Sequence, residues 1–524
     1  MEDAAAGHAE DGSRQPDRSR TQRNLMKKTR FAEALLAVTA VATGCATAPV
    51  AGVDARTTLT ASTETVQALA ECPELPSLPT AGCGQITVPR DRADPGKGTI
   101  DIGFALVPHT DTSQPGLGTI VPNPGGPGSS TIDLAGQQFA ESLEPLLDRR
   151  DLLLIDTRGV GRSTPLTCAA LDGPTRVFVS LPEQRQLIGE CGEQLGDAVS
   201  DYTSIAVADD VDAVRATLGL SRLDLLGISY GTYLMATYAQ RYPQHVRTVS
   251  MAGAYAINVD SVGEVNAVAF RRAVRLVCER TGECNGDRVI SDLAALMKRL
   301  RKSPEKLDIT YDGVKHRVTL DEWQMTSVAG RVYSSRPDTK VELALANAAA
   351  AARRGNLTPV RALVRDSLIA LADNYSYGAA ILSDAQSWAV TCHDYLRDFD
   401  YADPVAKRTR QYAAVQAKLI SADFAPFSAV AWVTRADYDT GACLRWPNDE
   451  TAQPPFAPGA TMPDVPVLVL SGDLDANTPI ESGDAAAAQF PHATHKVIAG
   501  AGHTPACTTE GVNEIIKFIR DAKG

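Results

Sequence analysis

The stretch from Leu223 to Ala239, LDLLGISYGTYLMATYA, changes character at its middle. Residues 223–228 are dominated by apolar side chains and predict a short buried strand, whereas Thr232 to Gln240 predicts a helix with small residues on one side. Ser229, Tyr230 and Gly231 alone lie between the two, so the chain must turn sharply there. Gly227 and Gly231 flank the serine in the pattern G-x-S-x-G. In such an elbow the serine sits in strained backbone geometry with its hydroxyl lifted clear, and the glycines let strand and helix pass close together. The first amides of the helix point at the same spot, where they stabilise developing negative charge. The reading is an α/β fold with Ser229 as a nucleophile at the end of a central strand.

A serine hydroxyl is a weak nucleophile at neutral pH and needs a base, itself oriented by an acid. Downstream, VLVLSGDLDANTP ends a strand in two carboxylates, Asp473 and Asp475, and VIAGAGHTPA ends the next in a glycine-flanked His503. A histidine on such a loop can cross the edge of a sheet to take the serine proton, with either aspartate behind it. Upstream, VPNPGGPGSS from Val121 to Ser130 is a glycine-rich loop directly after a strand. Its Gly126 amide and the amide of Tyr230 are the expected oxyanion donors. The loop lacks the Lys-Ser/Thr ending of a phosphate-binding loop.

The runs TIDIGFALV, GTIVPN, DLLLID and VRTVSMAG are strand-like, and VPVLVLSG and HKVIAG resume that character much later. An alternation that stops near Tyr255 and restarts near Val465 reads as one sheet interrupted by a large insertion. The expected organisation is a leader and export signal over residues 1–50 and a first part of the α/β core over 70–255. A mainly helical cap follows over 256–455, and the rest of the core over 456–524. In the insertion Trp323, Trp388 and Trp432 read as core anchors. Asp394 and Glu322 are its candidates for binding a substrate ammonium.

A formal net charge of -12 over 524 residues, with no basic stripe, excludes a nucleic-acid partner. The basic MKKTR from Met26 and the apolar FAEALLAVTAVATGC after it form an export signal. That apolar run is too short for a transmembrane helix, and Glu33 interrupts it. Cys45 after ATG is a lipidation candidate. Of the other nine cysteines, neighbours pair as Cys72 with Cys83, Cys168 with Cys191, Cys278 with Cys284 and Cys392 with Cys443, which leaves Cys507 over. With no CxxC pair and no HExxH, and with His492 and His495 lacking a third partner, neither a metal nor another cofactor is expected.

Taken together, the motifs resemble the proline iminopeptidase and tripeptidyl aminopeptidase branch of the α/β-hydrolases, in its secreted actinobacterial form. The marks are NPGGPG, where proline iminopeptidases carry HGGPG, with DTRGVGRS, GISYGTYLMATYAQRYP, SGDLDANTP and GAGHT. WAVTCHD at Trp388 and CLRWP at Cys443 resemble the tripeptidyl group and support a disulfide from Cys392 to Cys443. The resemblance implies the α/β-hydrolase fold, a mostly parallel sheet flanked by helices, and selects Asp475 over Asp473 as the triad acid. It implies an exported serine hydrolase, secreted or lipid-anchored on the outer face of the bacterial membrane. Its expected reaction removes one to three residues from peptide N-termini through an acyl-enzyme. The alternative is an amidase or esterase acting on a small acylated molecule such as a secondary metabolite. Asp156 and Arg158 are expected to lock the loop beside the elbow. One departure is Ala252 before Gly253, where the family usually has Asp-Gly; it is expected to alter local packing or substrate shape and to spare the triad.

Overall fold

The structure, a computed structural model, describes residues 69–258, 263–334, 336–436 and 438–522. Its strands in chain order are β1 (Ala70–Glu71), β2 (Gly82–Pro89), β3 (Thr99–Val107), β4 (Thr119–Asn123), β5 (Asp151–Ile155), β6 (Leu223–Ile228), β7 (Val246–Ala252), β8 (Glu305–Tyr311), β9 (Val314–Leu320), β10 (Val467–Gly472) and β11 (Ala493–Ile498). Nine of them form one sheet in the order β1-β2-β3-β5-β4-β6-β7-β10-β11. The pairings from β5 through β11 are parallel, and those from β1 to β5 antiparallel.

The parallel strands are apolar almost throughout because helices cover both faces of the sheet. Alternate residues divide between the two faces. Val121, Leu153, Leu225, Val249 and Val469 share one core with Val207, Val214, Tyr233 and Met235 of the helices Ser204–Thr217 and Tyr230–Arg241. Their neighbours Ile120, Leu152, Leu226, Leu468 and Leu470 share the other with Phe139 and Leu143 of Gly136–Leu143 and Ile515 and Ile519 of Thr509–Asp521. β4 lies between β5 and β6, so the chain reverses its direction of travel across the sheet there. Asn123 pairs with Gly227, which sets the glycine loop and the elbow side by side at the carboxyl ends of their strands. That crevice is where open α/β sheets bind ligands.

Between β7 and β10 the helices Glu264–Thr281, Gly286–Lys302, Glu322–Val332, Thr339–Arg353 and Thr358–Tyr375 bury a core of their own, with Phe270, Leu293, Met297, Leu345, Val360 and Trp432. This segment also holds a hairpin, β8 and β9, that the helical reading missed. Its signal was in the sequence: Asp312 and Gly313 take φ of 46° and 81° between two alternating runs, the two-residue turn that suits strand twist.

Among the described residues disulfides join Cys72 to Cys83, Cys168 to Cys191, Cys278 to Cys284 and Cys392 to Cys443. Cys507, left over by the sequence pairing, is disulfide-bonded as well; pairing by proximity along the chain carries no information about a distant partner. The leader and the lipidation candidate Cys45 lie outside the described residues. Among the described residues no helix is long and apolar enough to cross a membrane.

Glu342 gives the fold a pH dependence. It sits in the first turn of Thr339–Arg353 with 3% of its surface exposed, and burial, with the Asp338 charge adding to it, pushes its carboxyl up to about 7. The folded chain therefore keeps a proton that the unfolded chain has already lost between about pH 4.5 and 7, and stability falls as pH rises through that window. Glu342→Gln is expected to be more stable than wild type by about 2 kcal/mol at pH 8. Chemical denaturation should show the gap closing below about pH 4.5, and a gap independent of pH would contradict this assignment.

Candidate active site

Ser229 stands at the junction of β6 and the helix Tyr230–Arg241 with φ 55° and ψ −124°, a strained conformation for a residue with a Cβ. The glycines around it answer to close approach. A Cβ on Gly227 would collide with the carbonyl of Gly231, and one on Gly231 with the carbonyl of Asn123. The Ser229 amide donates to the Ala252 carbonyl at 3.0 Å, so the departing residue of β7 sets the elbow's height through its backbone. A Cβ on Gly253 would strike the carbonyl of His503.

The three residues expected to act together are together. Ser229 Oγ lies 2.8 Å from His503 Nε2, and His503 Nδ1 lies 3.2 Å from Asp475 Oδ2. His503 and Asp475 are buried, and Ser229 lies at intermediate depth. Asp475 Oδ1 also accepts from the amides of Asn477 (2.7 Å) and Thr478 (3.0 Å), and Oδ2 from the Thr478 hydroxyl (2.7 Å). Burial pushes the Asp475 carboxyl up, but the His503 ring, Thr478 and the Asn477 amide outweigh it and hold it below the usual carboxylate range. Sequence reading passed over two neighbours in the same turn. Thr478 Oγ1 is 3.0 Å from His503 Nδ1, and Asn477 Nδ2 is 3.0 Å from Nε2. Their signal was position alone, two and three residues beyond the acid in a turn that must cradle its carboxylate. Asp473 points elsewhere, pairing with Arg280 and accepting from the Gly500 amide at 2.9 Å.

Gly126 and Ser229 line the same cavity. The Gly125 amide is committed to Asn123 Oδ1 at 3.0 Å, and a Cβ on Gly125 would sit 3.2 Å from the Tyr230 nitrogen, so the glycine loop packs directly on the elbow. Tyr230 opens its helix, where the first amides have no intrahelical acceptor. The loop is pinned from behind. Asp156 accepts from the Thr131 amide (2.7 Å), the Ile132 amide (3.0 Å), the Arg162 amide (2.8 Å) and Ser130 Oγ (2.9 Å). Arg158 forks onto Asp210 at 2.7 and 2.8 Å.

The cavity, about 280 Å³, lies between the sheet's carboxyl edge and the segment that joins β7 to β10. Trp323 and Trp388 line it, contrary to their reading as core anchors, whereas Trp432 is buried at 1% exposure. The two ammonium candidates are not brought to it. Asp394 is buried, accepting from the Ser204 amide and pairing with His393 Nδ1, both at 2.7 Å. Glu322 is forked by Arg301 at 2.5 and 2.6 Å and accepts from the Ser428 amide. A helix start and a half-buried ion pair occupy what the sequence leaves looking available. The described carboxylates that line the cavity, Asp384 and Asp439, pair with Arg176 at 2.5 Å and Arg185 at 2.6 Å. Among the described residues no group of three or more His, Cys, Asp or Glu side chains is arranged so that it could hold a metal ion.

Comparison with known proteins gives a match to the family described as alpha/beta hydrolase fold over residues 118–507. The chain is 28% identical over 427 residues to the serine protease Hip1 of Mycobacterium tuberculosis, covering 76% of this chain and 77% of that one. It is 34% identical over 184 residues to the tripeptidyl aminopeptidase of Streptomyces coelicolor, covering 32% of this chain and 33% of that one.

Proposed function

The chain belongs to the α/β-hydrolase fold family, and from that premise we propose that it is an exported serine aminopeptidase with Ser229, His503 and Asp475 as its triad. The observation that carries the reading is the unbroken hydrogen-bond line from Asp475 through His503 to Ser229, which lines the cavity. His503 Nε2 takes the serine proton as Oγ attacks the carbonyl carbon, and Asp475 holds the ring with its proton on Nδ1. The amides of Gly126 and Tyr230 receive the oxyanion. Nε2 then hands its proton to the leaving nitrogen, the C–N bond breaks, and water attacks the acyl-enzyme by the same route in reverse.

The segment over residues 256–455 acts as the cap, and the small volume beneath it suits a short peptide end rather than an extended chain. The similarity to a serine protease and to a tripeptidyl aminopeptidase supports removal of one to three residues. The disulfides and the N-terminal signal support an oxidising destination outside the cytoplasm, secreted or lipid-anchored.

N-acetylation of a good aminoacyl or tripeptidyl arylamide is expected to lower kcat/KM by at least about 10²-fold, or about 3 kcal/mol of transition-state binding. A kinetic comparison of free and blocked substrates checks it. The second reading, an amidase or esterase on a small acylated molecule, is favoured by one observation: the described carboxylates lining the cavity are already neutralised by arginines. Blocked substrates turned over as fast as free ones would establish that reading in place of the first.

A further inference from the structure

Asn477 lines the cavity with 8% of its surface exposed, and its backbone is fixed from both sides. Its amide donates to Asp475 Oδ1 at 2.7 Å, and its carbonyl accepts from Asn266 Nδ2 at 2.5 Å. Its side-chain amide has one end 3.0 Å from His503 Nε2, and the other end, Oδ1, is buried without a hydrogen-bond partner. With Ser229 donating to Nε2, that nitrogen carries no proton, so the end of Asn477 that meets it is the donor Nδ2 and the orphan end is an acceptor. A buried acceptor left unpaired is destabilising, which calls for a donor when substrate is bound.

The donor is set by the reaction. Whatever leaves must sit beside Nε2, because Nε2 protonates it, and Asn477 is the side-chain amide already at that nitrogen. In a secondary amide the leaving nitrogen carries one hydrogen. As Oγ bonds to the carbonyl carbon, the nitrogen becomes pyramidal and must turn its lone pair toward the incoming Nε2 proton. Its N–H then points away from His503, into the cavity that Asn477 lines. Once Nε2 carries the serine proton it no longer accepts from Nδ2, which frees the Asn477 amide to turn its oxygen to the leaving group. An ester oxygen has no hydrogen to offer and leaves Oδ1 orphaned.

Resting on the serine-hydrolase reading above, we infer that Asn477 Oδ1 accepts the N–H of the scissile amide in the transition state and makes this site selective for amides over esters. The interaction is absent from the ground state and from ester cleavage, so it acts on acylation of amide substrates alone. A site built to bond a substrate N–H discriminates against the analogue that lacks it.

The test compares the full chain with its Asn477→Ala and Asn477→Asp variants on one acyl group presented as an arylamide and as the matching aryl ester. Using kcat/KM restricts the readout to acylation. Asn477→Ala is expected to lower the amide value by about 10- to 100-fold more than the ester value, both values also registering the lost Nδ2 contact to His503. Asn477→Asp keeps an acceptor oxygen and is expected to hold the amide-to-ester ratio within about 3-fold of wild type. Fluorophosphonate labelling of Ser229, which involves no leaving N–H, reads what loss of the Nδ2 contact to His503 costs by itself, and the amide loss is expected to exceed that cost by at least about 10-fold. Equal losses on amide and ester, or no loss on either, would overturn this inference while leaving the hydrolase reading intact. A wild-type chain that cleaves esters and not amides would overturn the peptidase reading and this inference together, and one that cleaves neither would overturn both as well.

Discussion

Ser229→Ala is expected to lower kcat/KM by at least about 10³-fold and to leave the folded state in place. The loss is large because the substitution removes the atom that forms the covalent bond, and no neighbouring group replaces it. The fold survives because the elbow is held by its backbone. The Ser229 amide donates to Ala252 at 3.0 Å, and its carbonyl accepts from the Thr232 amide at 2.8 Å and the Thr232 hydroxyl at 2.7 Å. Alanine keeps all three. It also meets the same cost at φ 55° as serine, since both carry a Cβ. The side-chain bond that is lost runs to His503 Nε2, which retains Asn477 Nδ2 at 3.0 Å. Kinetics on an arylamide beside a thermal melt check both halves of the statement. Turnover near the wild-type level would remove Ser229 from the mechanism, whereas a collapsed melt would show that the hydroxyl supports the elbow.

The elbow was legible because its demands are local. A strand, two glycines and a helix start must follow one another within a few residues, and each leaves its own mark in LDLLGISYGTYLMATYA. The sheet was legible for a related reason: strands buried on both faces are apolar without a break, whichever strands they later pair with. The strand Gly82–Pro89 escaped notice because it lies in the antiparallel part, where apolar and polar residues mix and both glycine and proline occur. What sequence could not supply was the use already made of a charge. Asp394 and Glu322 have the composition of ammonium ligands, but their partners Ser204 and Arg301 lie 190 and 21 residues away. Trp388 and Trp432 have the same composition and separate into cavity wall and core only once the helices are packed. Thr478 and Asn477 were hidden in plain view, because a turn that cradles a carboxylate looks the same whether or not its side chains also touch a histidine.

The two carboxylates that end β10 make the second large effect a matter of choice between neighbours. Asp475→Asn is expected to lower kcat by about 10³- to 10⁴-fold, and Asp473→Asn by less than about 3-fold. The asymmetry follows from what each oxygen meets. Asp475 Oδ1 takes two backbone amides, those of Asn477 and Thr478, so the carbonyl oxygen of an asparagine would be drawn to that side. Its NH2 would then face His503 Nδ1, where Oδ2 now lies at 3.2 Å. Two donors cannot share that line, and the ring proton would shift to Nε2. A ring protonated at Nε2 cannot accept the Ser229 proton, so the serine would keep its hydrogen and its low reactivity. Thr478 Oγ1, 3.0 Å from Nδ1, offers a competing acceptor that keeps part of the population in the productive tautomer, which places the expected loss short of complete inactivation. Asp473 has no such role. Its carboxylate pairs with a partly exposed Arg280 and caps the Gly500 amide, contacts of a kind worth about 1 kcal/mol or less at a surface. Measured kcat for the two variants decides the matter: a greater loss in Asp473→Asn would reverse the assignment of the acid, and equal losses would show that the turn between the two residues acts only as a support.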